Sequence, residues 1–295
     1  MTGNGSFDPD KQQFASTFLK LSPDLSLIDW FAPANVAALN FLDIDLGSAG
    51  TMLLPDTDEV VGGGKEGKLY LLSRSKLGGR QQHTWLHDRL NPPIQYFQAA
   101  RRWRLSWLSW FPLLFNVGYH HIHGSFVYWN SLENGPTIYV WPEEDRVRAY
   151  HYNPVTKFKS TPVKGMTGNK GMPGGFLSIS ANGSRDGILW GAIPLDSDAW
   201  VEIVRGTLRA FDANTLKLLW STDQDDPGDY FDFAKYVPPT IANGKVYLPT
   251  FSDRLNVYGL HSPVAAAGPQ PRPKLSKNPR HRGHIKGANG HTGHK

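Results

Sequence analysis

The sequence predicts an all-β fold made of repeated four-stranded units, the pattern of a β-propeller, and three observations carry that prediction. The stretch Arg205-Gly-Thr-Leu-Arg-Ala-Phe-Asp-Ala-Asn-Thr-Leu-Lys-Leu-Leu-Trp-Ser-Thr222 reads as strand, tight turn, strand. Leu208, Ala210 and Asp212 alternate with Arg209 and Phe211, and Asp212-Ala-Asn-Thr215 supplies turn residues whose side chains bond their own backbone. The inner strand of this layout recurs as Gly67-Lys-Leu-Tyr-Leu-Leu-Ser-Arg74, as Asp145-Arg-Val-Arg-Ala-Tyr-His-Tyr-Asn153 and as Ser252-Asp-Arg-Leu-Asn-Val-Tyr-Gly-Leu260. Short strands in a unit repeated at such spacing mark a repeat architecture of the propeller kind. Composition agrees: 10 Trp supply large rings to pack between sheets, and 30 Gly supply turns.

The strands fall into sets when taken in order. Residues 14–21 and 25–31 read as the last two strands of a first unit, split by Ser22-Pro-Asp24. Residues 51–54, 59–62 and 68–73 follow, completed by 94–98 after an insertion over 78–119. A full set runs 125–129, 137–141, 146–152 and 157–163, and another runs 176–180, 187–193, 206–212 and 217–222. A last set begins with 239–241, 245–250 and 256–260. Asn-Gly at 134–135 and 243–244 marks two tight hairpins. The count is four to five blades, and the chain opens inside a blade. The expectation is an incomplete ring whose open blade edges pair with a protein partner; the alternative is a small ring closed by its own first strands.

The net charge of +5 belongs to one segment. Residues 269–295 hold seven Lys or Arg and no acid, which leaves 24 bases against 26 acids elsewhere. A folded part with that balance lacks the basic face that nucleic-acid binding needs. The tail, 263–295, is rich in His, Pro, Gly and basic residues and reads as disordered, so the propeller is assigned to 1–262. There is no Cys, hence no disulfide and no thiolate chemistry. Met1-Thr-Gly-Asn-Gly-Ser-Phe-Asp-Pro9 has neither a charged start nor an apolar core and does not read as a signal peptide. No run of about 20 apolar residues reads as a transmembrane helix. Residues 101–115 are basic and then apolar, with Trp103, Trp107, Trp110 and Leu114 on one face if helical. That is the pattern of a membrane-surface helix, and equally of a plug packed against the propeller, which is preferred.

Several constellations are candidates for chemistry. In His120-His121-Ile122-His123 a strand would send His121 and His123 to one face and His120 to the other, so two imidazoles could ligate one metal with a carboxylate from elsewhere. The ordinary reading is that they bond backbone groups. Asp43 and Asp45 fall on one side just before a strand, able to hold a cation or to cap turns. Asp223, Asp225, Asp226, Asp229 and Asp232 form an acidic loop without the EF-hand spacing. His83 and His87 have helical metal spacing without helical surroundings, and His281, His284, His291 and His294 form a loose His-rich tract. There is no nucleophile elbow and no phosphate-cradling glycine loop before a helix.

Five motifs together resemble the PQQ-type propellers of the quinoprotein alcohol dehydrogenase-like superfamily, where PQQ is pyrroloquinoline quinone. They are Thr2-Gly-Asn-Gly-Ser-Phe-Asp8, Gly62-Gly-Gly-Lys-Glu-Gly-Lys-Leu-Tyr-Leu-Leu72, His120-His-Ile-His-Gly-Ser125, Gly171-Met-Pro-Gly-Gly175 and the stretch from Arg205 to Thr222. The likeness spans about residues 2 to 260, and is to a bacterial group of PQQ-like propellers rather than to the true dehydrogenases. It implies a periplasmic or extracellular setting. It also implies that Asn4 matches an asparagine that binds Ca²⁺, and Lys65 a lysine that bonds the quinone oxygens. On the same likeness the general-base Asp falls near Lys11 or Gln12, with Asp10 close by, and the adjacent-Cys disulfide of those enzymes is impossible. Without the likeness, Asn4 reads as an Asn-Gly turn residue and Lys65 as a solvated loop lysine. The function expected is a PQQ-like propeller repeat protein acting as a binding or interaction module without a complete quinoprotein site. The alternative is a PQQ- and calcium-dependent dehydrogenase whose N-terminal half lies outside this chain.

Overall fold

Apolar residues run unbroken through the inner strands, as in Leu69-Tyr-Leu-Leu72, because those strands are covered on both faces. The computed structural model describes residues 1–80, 82–83, 89–90, 92–101, 120–168, 171–225 and 228–260. It is mostly β-sheet, 46% strand against 8% helix, which bears out the all-β class.

Among the described residues, five sheets of three or more strands follow one another along the chain, beside two pairs of two-residue strands, Phe7–Asp8 with Gln13–Phe14 and Gln82–His83 with Arg89–Leu90. The first pairs β1 (Phe18–Leu21) with β2 (Leu27–Ala32), and the two-residue strand Gly79–Arg80 adds in parallel to β2. A short helix, α1 (Val36–Phe41), leads out of it. The second sheet is an antiparallel meander of β3 (Thr51–Leu53), β4 (Glu59–Gly63), β5 (Lys68–Ser73) and β6 (Gln95–Gln98). The third is the meander β7 (Val127–Ser131), β8 (Gly135–Val140), β9 (Arg146–Asn153) and β10 (Val163–Gly168). The fourth repeats the pattern with β11 (Phe176–Asn182), β12 (Arg185–Pro194), β13 (Arg205–Asp212) and β14 (Leu218–Ser221). The fifth has β15 (Thr240–Ala242), β16 (Lys245–Pro249) and β17 (Leu255–Gly259).

Four apolar layers fill the spaces between successive sheets. Phe18 and Phe31 meet Val60, Tyr70 and Leu72; on the other face of the second sheet Val61, Leu69 and Leu71 meet Ile138, Val140 and Tyr150. Tyr139, Trp141 and Val147 meet Leu177, Leu189 and Phe211, and Phe176, Ala192 and Leu208 meet Val246 and Leu248. Neighbouring residues on one strand thus serve opposite layers, the period of two that the sequence displays. Trp141 lies edge-on to Phe211 at 5.4 Å, and its indole donates to the Asp145 carbonyl at 3.0 Å. A Cβ at Gly175 or Gly191 would come within 2.8 Å of its ring, so both glycines are needed for its seat.

Two expected strands are corrected. Residues 157–163 do not form one strand: Lys157–Phe158 and β10 pair separately with β9, and Lys157 has φ 65°. Residues 14–21 break at Ser16, which has φ 47°, a left-handed conformation that interrupts a strand. Most of the 78–119 insertion, with residues 102–115 of the basic-apolar segment, lies outside the described residues, as do His87 and the tail from 261 onward. Among the described residues no helix is long and apolar enough to cross a membrane.

Candidate functional site

The N-terminal segment, the segments leading into the second and third sheets, and the hairpin turns at Lys65 and Glu143 meet in one polar centre. The first part is built on three close approaches at glycine, two of them to backbone and one to a side chain. A Cβ at Gly3 would lie 2.7 Å from Asp45 Oδ1, one at Gly47 would lie 2.7 Å from the Thr2 carbonyl, and one at Gly64 would lie 2.2 Å from the Asp45 carbonyl. Gly47 and Gly64 therefore allow backbone to meet backbone, and Gly3 leaves room for the Asp45 carboxylate. The Lys65 N–H donates to the Asp45 carbonyl at 3.0 Å, and Gly67, with φ 67°, closes the turn into β5.

Asn4, Asp43, Asp45 and Lys65 are brought together by this packing. The Asn4 N–H donates to Asp45 Oδ1 at 2.7 Å and its side-chain amide donates to Asp43 Oδ1 at 2.7 Å. Lys65 Nζ bonds Asp45 Oδ2 at 2.5 Å, Asp43 Oδ2 at 3.1 Å and the Asp43 carbonyl at 3.0 Å. The lysine side chain is 18% exposed and the Asp43 side chain 70%, so the centre opens to solvent on the Asp43 side. Burial acts to raise the Asp45 pKa, but hydrogen bonds from Lys65 and the Asn4 N–H, with the attraction of Lys65 and His123, outweigh it and hold the carboxyl low. Burial acts to lower the Lys65 pKa, and its bonds to Asp45 and Asp43 override that and raise it.

The second part lies alongside. The segment from His120 to Ser125 is pinned from both sides: Ser48 Oγ donates to the Ile122 carbonyl at 2.7 Å, and the Glu143 N–H donates to the His121 carbonyl at 2.9 Å. His121 and His123 have ring centres 5.4 Å apart, although their segment is not a strand, and Glu143 meets them from the turn between β8 and β9. Glu143 Oε2 is 3.2 Å from His121 Nδ1 and 3.8 Å from His123 Nε2. Burial lowers the His121 pKa more than Glu143 raises it. Burial acts to raise the Glu143 pKa, while the nearby His123 and His121 imidazoles and the His121 N–H pull it below its ordinary value. His120 is buried on the other side, 3.7 Å from Glu144. Beside His123 a cavity of about 200 Å³ is lined by Ser48, Ser125, Phe176, Leu177, Tyr236 and Pro238. The charges of Lys65, Glu143 and Asp45 all act on the Tyr236 hydroxyl, which links the two parts.

Asp226 lies outside the described residues, and the other four carboxylates of the acidic loop do not converge. Asp223 pairs with Arg209 and Thr207, Asp225 accepts the Ser221 N–H, Asp229 bonds Tyr258 and Arg254, and Asp232 bonds Ser252. Each is occupied structurally. Lys11 pairs with Asp8 on the surface and Gln12 ends a short turn, whereas Asp43 and Asp45 are carboxylates that touch both Asn4 and Lys65. Glu143 and Tyr236 carry no motif, so sequence reading passes over them. The only hint of Glu143 is its place just after the strand that ends at Val140, one hairpin turn beyond the histidines. No protein-family model and no curated protein matches the chain.

Proposed function

We propose that this chain is a PQQ-like β-propeller repeat protein, of the bacterial kind its motifs resemble, acting as a binding module without a complete quinoprotein catalytic site. Support for the propeller comes from the sheets themselves: antiparallel meanders in chain order, each packed face to face on the next. One observation carries the binding role. Asn4, Asp43, Asp45 and Lys65, drawn from three segments, form one hydrogen-bonded set with an exposed carboxylate and a part-buried ammonium. A ligand bearing adjacent carbonyl or hydroxyl oxygens takes the place of Asp43 as partner of Lys65, and the Tyr236 ring nearby gives it an aromatic neighbour.

Calcium fits this set poorly. The ion takes six to eight oxygens. Here three side chains offer them, and the Lys65 ammonium already bonds both carboxylates. A quinone needs less, because the lysine alone can bond its oxygens. A second reading, a quinone-dependent dehydrogenase completed by another segment, is favoured by the position of Asp45, a carboxylate of lowered pKa beside Asn4 and Lys65. Titrating the full chain with PQQ, with and without Ca²⁺, and then offering alcohols or sugars and a dye acceptor separates the two. The binding-module reading expects a quinone spectrum shifted by the protein, insensitive to Ca²⁺, lost in Lys65→Ala, and no dye reduction. Calcium-dependent turnover that disappears in Asn4→Ala and Lys65→Ala would establish the enzyme instead. An unshifted spectrum at saturating protein would refute both.

A further inference from the structure

We infer that His121, His123 and Glu143 form a binding site for one divalent transition-metal ion, zinc-like in preference, with a coordination position left open beside the cavity. The site is separate in ligands from the Asn4–Lys65 set and does not rest on the function proposed above. Three observations carry it. The ligand atoms of the three residues all lie within 4.8 Å of one another. Tetrahedral coordination at the usual bond lengths puts ligand atoms about 3.3 Å apart, and two of the separations are 3.2 Å and 3.8 Å. His123 Nε2 is buried without a hydrogen-bond partner, on a side chain only 4% exposed and aimed at Glu143. An unpartnered buried nitrogen is costly, and a metal ion satisfies it.

The frame is also set before any ion arrives. The backbone bond between Glu143 and His121 fixes the two ligand-bearing segments to each other, and a Cβ at Gly124 would lie 2.3 Å from the Gly175 carbonyl, so the histidine segment is locked against the next connection as well. Two imidazoles and a carboxylate suit borderline ions such as Zn²⁺ or Co²⁺ rather than Ca²⁺ or Mg²⁺, which want oxygen. The Lys65 charge acts on His121, and its pairing with Asp43 and Asp45 offsets its repulsion of an ion. Three protein ligands leave the fourth tetrahedral position for water or a small ligand. His123 is itself a wall of the cavity with Ser48, Ser125 and Tyr236, so that ligand has room to enter.

The test is titration of the metal-free full chain with Co²⁺ and then Zn²⁺. It is run in parallel on a version with His281, His284, His291 and His294 replaced by Ser, which removes the loose His-rich tract from the readout. The inference expects one equivalent of Co²⁺ with the visible bands of a tetrahedral site, displaced by one equivalent of Zn²⁺, in both proteins. His123→Ala and Glu143→Gln should each weaken binding by roughly a hundredfold, one ligand's share of a zinc site's total. X-ray absorption of the zinc-loaded chain should show two imidazoles in the first shell, a readout that stands even if a variant fails to fold. Loss of the bound equivalent with the tail histidines, octahedral Co²⁺ bands, or a first shell without two imidazoles would overturn it.

Discussion

Asp45 serves two partners, the Asn4 N–H and the Lys65 ammonium, and its carboxyl is held low by them against burial. The stability this contributes is present above the unfolded value near about 3.9 and is lost as pH falls through the folded pKa. Lys65 has the opposite sign: its pKa is raised, so its contribution is present below about 10.4 and is lost as pH rises through the folded value. Asp45→Asn should therefore cost about 1 kcal/mol at neutral pH, a modest figure because the pair is partly solvated, and less than that at pH 3. Urea denaturation at the two pH values checks this; an equal loss at both would remove the charge argument. Gly64→Ala should cost about 1–3 kcal/mol, because its methyl would strike backbone that cannot yield. It should also unseat Lys65; wild-type stability would mean that the segments at 45 and 64 are not in contact. Asp43, Asp45, His121 and His123 were legible as residue types two apart, although neither pair lies on a strand and Asp43 has φ 56°. Glu143 was not, since nothing local to residue 143 says that it folds against residue 121.

Most strands are readable because each is bounded by residues that must turn. The hairpin between β15 and β16 has Asn243 at φ 50° and Gly244 at φ 69°, the two left-handed residues that a tight hairpin requires. The meander strands around Trp141 are held by its ring. Trp141→Ala should destabilise by about 3–5 kcal/mol, read from the chemical unfolding midpoint. A loss below about 1 kcal/mol would show that the third and fourth sheets do not pack through this residue. What was not legible has identifiable causes. α1 has six residues, no side-chain cap at Asn35 and an exposed Phe41, so its sequence lacks the signals of a helix start and a clear apolar face. The 157–163 segment looked continuous because Lys157 gives no warning of a left-handed turn; Gly or Asn would have.

On the scale of the whole molecule, the sheets succeed one another with apolar layers between them and a polar centre where their connections meet. Far-ultraviolet circular dichroism should show strand with little helix; a helix share above about one third, the average for soluble domains, would contradict the fold. The repeat pattern made the class readable, because residues that serve two layers leave an apolar run that survives without any alignment. The meeting of Asn4, Asp43, Asp45 and Lys65 depends on contacts between distant segments, and only their residue types were visible in advance. The central claim is that this meeting place is where the protein takes its ligand. A crystal structure of the full chain grown with saturating PQQ tests it most directly. The account predicts quinone oxygens within hydrogen-bond reach of Lys65 Nζ, with the Asp43 carboxylate turned away from it. Quinone bound elsewhere, or an Asn4–Asp43–Asp45–Lys65 set left intact at saturation, would contradict it.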